Sequence, residues 1–386
     1  MTVQLFTQSR HGAEAALWPK IAAFLKVCIA QISFRSLGRR SQAARRWTAA
    51  INLCHTLSRS SKLLPLLALC CSKEVPMPLV QRAFQGAVDW PDMLAVVQAQ
   101  PSDHLHLIDL PYRLCSWAFD DPANCSLWQD ANGHVLAWAV LQSPFWSLDY
   151  AIHPAAPATM LQAVLRWADH RAEASRTTPF ARPMWFINGF RSHPHAQEIE
   201  AFGFHSQAAV GAASWTKVLF RRDATHLPER RPVPNGFRIR PLKGTDEVDA
   251  YVALHRAVFQ SESMTSAWRE RTLRHPAYQP DLDLVVVDAE EQLAGFCIGW
   301  YTPRGPDGQP AGQIEPMGIR ADVRGRGLGK ALLLDCLHQL RSAGATSLFV
   351  ETDNDRATAF SHYQAVGFRV LRDVIVYRKD YAANKQ

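Results

Sequence analysis

Residues 313–334 read QIEPMGIRADVRGRGLGKALLL, and the rest of the chain is organised around them. Gln313 to Ile319 is short and ends in apolar residues, as a buried strand does. From Lys330 onward, Leu332, Leu333, Leu337 and Leu340 recur at helical spacing. Between the two, Arg324-Gly325-Arg326-Gly327-Leu328-Gly329 carries a glycine at every second position. Glycine permits positive φ and lets a backbone approach a ligand closely. Several main-chain N–H groups can then converge at the helix start, where the macrodipole also favours an anion. Arg324, Arg326 and Lys330 add full positive charge. The order strand, basic glycine loop, helix predicts a cradle for a pyrophosphate.

Three cradles compete for this pattern. A Walker A loop places a hydroxyl after its lysine, whereas Lys330 is followed by Ala331. A dinucleotide fingerprint needs G-x-G-x-x-G, and the spacing here is G-x-G-x-G. The third, Q/R-x-x-G-x-G/A, is met by Arg324, Gly327 and Gly329. That is the coenzyme A signature of the GNAT superfamily of N-acetyltransferases, which the stretch closely resembles. A glycine-rich turn with surface arginines is the plain alternative on these six residues alone. The resemblance implies acetyl-CoA as cosubstrate, with Arg324, Gly325, Arg326, Gly327, Leu328, Gly329 and Lys330 holding pyrophosphate. It also implies that main-chain groups of Met317, Gly318 and Ile319 pair with the pantetheine arm.

The chain of 386 residues has room for two or three domains. Its net charge of +7 resolves into +9 over residues 1–76 and −2 over 77–386. The basicity belongs to the leading segment, so no nucleic-acid function follows from it. Residues 1–76 are rich in Arg and Ser and are expected to be an unstructured extension; a transit peptide or a helical basic tail also fits the composition. Cys28, Cys54, Cys70 and Cys71 fall in that segment. Cys115, Cys125, Cys297 and Cys336 are far apart, with no C-x-x-C and no zinc spacing. Reduced thiols, no metal, no membrane span and a cytoplasmic protein are expected.

Two domain-sized runs follow. In residues 77–220 a hairpin is predicted over 127–141 around Asn132-Gly133, then a strand (146–152), a helix (160–172), a strand (183–188) and a helix (196–204). Residues 221–236, rich in proline and arginine, are expected to be an interdomain linker. In 237–386 the expected order is a strand (237–240), a helix capped by Thr245 or Asp246 and running to Phe259, strands at 284–288 and 292–301, the cradle unit, a strand (347–352), a helix (356–366) and a last strand (374–379). Both runs end a helix in Gly-Phe, at Phe204 and at Phe368. The fold class expected is α/β (α+β), two GNAT-like domains, each a mixed, largely antiparallel sheet flanked by helices. In the first run, His153 to Thr159 (HPAAPAT) stands where a cradle should be, without arginine or glycine and with prolines that lack N–H donors. That copy is expected not to bind coenzyme A, but to pack against the second and shape the acceptor site.

Acetyl transfer to an amine needs a held thioester, a polarised carbonyl, a neutral amine and a protonated leaving thiolate. Deprotonating an amine of pKa ~10.4 at pH 7 without a base costs roughly 4.6 kcal/mol. Glu315 on the strand is the candidate base, and an ordinary strand carboxylate is the alternative. The resemblance implies that Tyr363, four residues before Gly367, protonates the thiolate; a packed core tyrosine is the other reading. It also implies a cofactor contact from Asn354, although the usual asparagine-to-tyrosine spacing would fall on Arg356. His338 and His362 are set aside as exposed or packed, and Trp138, Trp146 and Trp185 as core. The acceptor is expected to be a small-molecule or peptide amine, with loops 261–280 and 303–312 lining its site. A non-catalytic acyl-CoA sensor or a scaffold is the alternative function.

Overall fold

Strand β1 (Val80–Ala83) and helix α1 (Trp90–Gln98, with a proline in its first turn) lead into the short helix α2 (Leu110–Leu114). The computed structural model describes residues 79–210, 216–354 and 356–381, so the basic leader and its four cysteines lie outside the described residues. Strands β2 (Cys125–Gln129) and β3 (Val135–Gln142) form the expected hairpin. All eight residues of β3 are buried. Then come β4 (Ser147–Ile152), α3 (Met160–Ala174), β5 (Met184–Phe190), α4 (Ala196–Ala201), β6 (His205–Ser206) and β7 (Thr216–Asp223). The second run holds β8 (Phe237–Pro241), α5 (Val248–Phe259), α6 (Ser266–Arg274), β9 (Asp283–Asp288), β10 (Leu293–Thr302) and β11 (Ala311–Ile319). It closes with α7 (Leu328–Ser342), β12 (Ser347–Asp353), α8 (Ala357–Gln364) and β13 (Arg369–Asp380).

The strands join in one sheet of 13, ordered β1-β2-β3-β4-β5-β13-β7-β12-β11-β10-β9-β8, with β6 on β13. Pairing is antiparallel except at β4–β5 and β11–β12, the corresponding places in the two runs. The last strand of each run leaves its own run. β7 pairs with β12 from Lys217↔Asp353 to Asp223↔Ser347, and β13 pairs with β5 from Val374↔Phe190 to Asp380↔Met184. β7 and β13 then pair with each other at the centre.

Three expectations need correction here. The segment 221–236 is not linker throughout, because Arg221, Arg222 and Asp223 complete β7. Arg222 is tied down by the carbonyls of Val366 and His226. The stretch 261–280 is not a plain loop either: it contains α6, which Thr265 caps through the Trp268 N–H at 3.1 Å. Neither Thr245 nor Asp246 caps α5, which follows a short 3-10 turn over Gly244–Glu247.

Three cores result. One is shared by both runs on one face of the sheet and joins α1, α2, α5 and α6. The other two lie separately on α7 and α8 and on α3 and α4. At the shared face the Trp268 indole donates to the Tyr112 carbonyl at 3.2 Å, and the two rings lie 5.0 Å apart. Arg271 adds a bond to the Cys115 carbonyl at 2.8 Å and an ion pair to Asp120 at 2.6 Å. Trp138 and Trp185 are core, whereas Trp146 is 40% exposed beneath Arg182.

Candidate active site

The glycine loop has the backbone its sequence requires. Gly325 and Gly327 sit at φ 78° and 87°, in the left-handed region that favours glycine, and Gly327 is the N-cap of α7. The first internal bond of the helix is Ala331 N–H to the Gly327 carbonyl at 3.2 Å. The N–H groups just before it therefore precede the helical ladder and can face an anion. Arg324 turns back onto the Ile319 carbonyl at 2.9 Å, Arg326 lies 5.9 Å from the Phe237 ring, and Lys330 reaches the Ala365 carbonyl at 3.4 Å. Gly329 packs beside His362: a Cβ there would stand 3.7 Å from the imidazole.

Just upstream, β11 and β12 pair only from Ala311↔Ser347 to Gln313↔Phe349 and then diverge. Met317, Gly318 and Ile319 remain paired with Cys297, Phe296 and Gly295 of β10, so their other backbone edge has no strand beside it. At the point of divergence the β10–β11 register slips: Cys297 faces Met317, but Gly299 faces Ile314. Glu315 and Pro316 thus form a bulge, which aims the glutamate out of the regular pleat. Gly318 has a second reason to be glycine, since a Cβ would collide with Val258 and the Phe296 ring.

Glu315 is half-buried, and its carbonyl accepts the Trp300 indole N–H at 2.7 Å. Its carboxyl has no hydrogen-bond partner among the described residues. Burial, with the Asp109 and Glu351 carboxylates, pushes it up to about 8, against the opposing pull of Lys217 and Arg113. Asp109 and Arg113 come from the first run, Lys217 from β7 and Glu351 from β12. Burial would raise Glu351 as well, but Lys217 at 2.8 Å, together with His106 and Arg113, holds it at about 2. His106 Nδ1 stands 3.2 Å from Asp109 and 3.9 Å from Glu351, while Arg113 pairs with Asp149 at 2.7 Å. Neighbouring carboxylates are thereby driven to opposite protonation states at neutral pH.

Tyr363, on α8, packs between Phe220 and Phe368 at 6.0 and 5.9 Å. Burial first, then Cys297 and Glu315, keep its hydroxyl protonated. The fold thus sets Glu315, Tyr363, the open edge at 317–319 and the cradle around the divergence of β11 and β12. Asn354 is not drawn into this grouping. Its side-chain amide donates to the Thr216 hydroxyl at 3.1 Å and its N–H to the Thr216 carbonyl at 2.9 Å, which fixes the start of β7. Arg356 pairs with Asp353 at 2.6 Å. The sequence reading set His362 aside as exposed or packed, yet its imidazole lies beside the cradle at Gly329, and burial pushes its pKa down against the opposing pull of the Gly329 backbone. Its place one residue before Tyr363 was the available signal. Lys217, His106, Asp109 and Glu351 carried no signal, because only the exchanged strands bring them together.

The first run keeps the corresponding divergence of β4 and β5, which pair only at Ser147↔Phe186. A cleft of about 100 Å³ opens there, walled in part by His104, His106, Trp138, Tyr150 and His193. The loop after it is closed by its own bonds, Ala155 N–H to His153 Nδ1 at 3.1 Å and Met160 N–H to the Pro157 carbonyl at 2.9 Å. Among the described residues no cluster of His, Cys, Asp and Glu is placed to hold a metal, and no helix is long and apolar enough to cross a membrane.

Residues 248–368 match the acetyltransferase (GNAT) family. The mycothiol acetyltransferase of Saccharomonospora viridis is 29% identical over 216 residues, 54% of this chain and 70% of that protein. That of Pseudarthrobacter chlorophenolicus is 30% identical over 146 residues, 37% of this chain and 45% of that protein. The chain thus spans less than half the length of the second relative. Among solved structures, a GCN5-related N-acetyltransferase from Sphaerobacter thermophilus covers 79% of this chain and 96% of its own, with a TM-score of 0.53 at 18% identity. A tandem GNAT protein from the clavulanic acid biosynthesis pathway covers 78% and 98%, with a TM-score of 0.52 at 15% identity. These two likenesses establish the tandem fold.

Proposed function

We infer, for a chain whose residues 248–368 belong to the GNAT acetyltransferase family, that it transfers an acetyl group from acetyl-CoA to the amine of a small molecule. The observation that carries this reading is Glu315: a carboxyl with a pKa of about 8, in a bulge beside an unpaired backbone edge, one strand end from an anion cradle. At pH 7 such a carboxyl is mostly protonated, but its ionised fraction is a far better acceptor for an ammonium proton than a carboxylate of ordinary pKa. The open edge at Met317–Ile319 supplies N–H groups to polarise the thioester carbonyl, by the logic of an oxyanion hole. The amine nitrogen forms the new C–N bond as the C–S bond breaks, its proton passes to Glu315, and the thiolate takes a proton from Tyr363. Residues 325–330 hold the diphosphate through backbone N–H groups, with Arg324, Arg326, Lys330 and His362 around it. The relatives are named for mycothiol, which favours a small acceptor over a protein.

Calorimetric titration of acetyl-CoA into the full chain tests the reading, followed by release of free thiol with amines present. One site per chain and amine-dependent thiol release are expected. Binding without thiol release would leave an acyl-CoA sensor, and two sites would mean that the first run also binds the cofactor.

A further inference from the structure

A groove of about 250 Å³ opens on the sheet face shared by the two runs, across β13, β7 and β12. Its floor is apolar: Phe190, Leu219 and Phe349. One wall is the first run's segment 105–108, and Leu371, 46% exposed, stands at the mouth. Asp307, from the loop between β10 and β11, is the only carboxylate lining it among the described residues.

Two arginines, Arg221 and Arg372, line the same groove. Arg221 meets Asp307 at 3.4 Å and Asp223 at 3.6 Å, both long for an ion pair. Arg372 donates to the Ser102 carbonyl at 2.7 Å and lies 4.7 Å over the Phe190 ring, with no carboxylate partner among the described residues. His104 adds no charge at neutrality, because burial pushes it down to about 4. An apolar floor under an excess of planar cations suits an apolar segment that ends in a carboxylate.

The strand register sets the scale. Arg372 faces Leu219 on β7, and Leu219 faces Glu351 on β12. Two interstrand steps, about 10 Å, therefore separate the backbone positions of Arg372 and of Glu351, the residue whose carboxylate acts on Glu315. An α-amino acid, with both groups on one carbon, is too short to reach both places.

We propose that this groove is the far subsite for the acceptor, and that the acceptor is an elongated apolar amine whose terminal carboxylate lies between Arg221 and Arg372. This rests on the acetyl-transfer reading above. The test uses the full chain with acetyl-CoA and two probe series, ω-aminoalkanoic acids and n-alkylamines, from about four to about twelve carbons long. The expected result is a kcat/KM for the acids about tenfold or more above that for alkylamines of the same length, peaking near eight carbons and carried by KM. In Arg372→Gln that ratio falls towards one, and Arg372→Lys restores part of it. Equal use of both series by the native chain, or an unchanged ratio in Arg372→Gln, overturns the proposal. If neither series is acetylated, calorimetry with 8-aminooctanoate decides: absence of binding removes the subsite, and failure to bind acetyl-CoA removes the reading beneath it.

Discussion

A carboxyl that must take a proton from an ammonium near pH 7 is a poor base if it titrates near 4. At Glu315 the correction comes from three sides: burial, Asp109 from the first run and Glu351 from β12. The transfer rate is therefore expected to rise with pH through about 8, as Glu315 loses its proton in the free enzyme. Folding stability runs the other way. The folded pKa lies above the ordinary 4.5, so the stabilising contribution is complete below about 4.5 and is lost as pH rises through about 8. Glu351 has the opposite sign: its contribution is present above its ordinary value and lost as pH falls towards 2. Glu315→Gln should thus lower kcat about 10²-fold or more, abolish the rising limb, and raise the melting temperature at pH 9 relative to the native chain. A variant that keeps the limb, or loses stability at pH 9, sinks the assignment of Glu315 as base. Glu315 was legible in the sequence because it shares a strand with the cradle. Its tuning was not, since Asp109 and Lys217 lie in the first run and reach it only through the sheet.

At the scale of the element, the strand–loop–helix unit was read almost whole, because glycine spacing, charge and helical leucines sit within twenty-two consecutive residues. What escaped was less local. β7 ends in Arg221-Arg222-Asp223, which resembles linker composition; its strand state is fixed by β12 and β13, neither of which is near it in sequence. Helix α6 was hidden because its exposed side is so rich in Arg and Glu that it reads as loop, although Trp268 and Arg269 are buried. The cradle yields a prediction that separates binding from folding. No atom lies within 4 Å of a Cβ placed on Gly325 or Gly327, so a side chain there enters open space and incurs only the positive-φ penalty, about 1–2 kcal/mol. Gly327→Asp places a carboxylate where the diphosphate would lie. Calorimetry should show at least a hundredfold weaker acetyl-CoA binding while the cooperative melt is retained. Native affinity in a folded variant would remove the diphosphate from this loop.

Across the whole molecule, the two runs are not two independent domains joined by a linker, and the exchanged strands say why. Without β7 the second run lacks the strand that pairs with β12 over seven register positions and that carries Lys217 to Glu351. Without β13 the first run loses the strand that covers β5. Each cut leaves an apolar edge and breaks the shared core, while the buried Glu351 loses its counter-ion, a loss that by itself removes about 3–5 kcal/mol. The first run is therefore indispensable to the second whatever chemistry it has of its own: it supplies Asp109 to the tuning of Glu315 and a strand to the second copy. A fragment of residues 224–386 should consequently give no cooperative melt and no acetyl-CoA binding, whereas co-expression with residues 77–223 should restore both. Cooperative folding and native affinity in the isolated 224–386 fragment would show that β7 is an accessory to the second copy rather than a part of it.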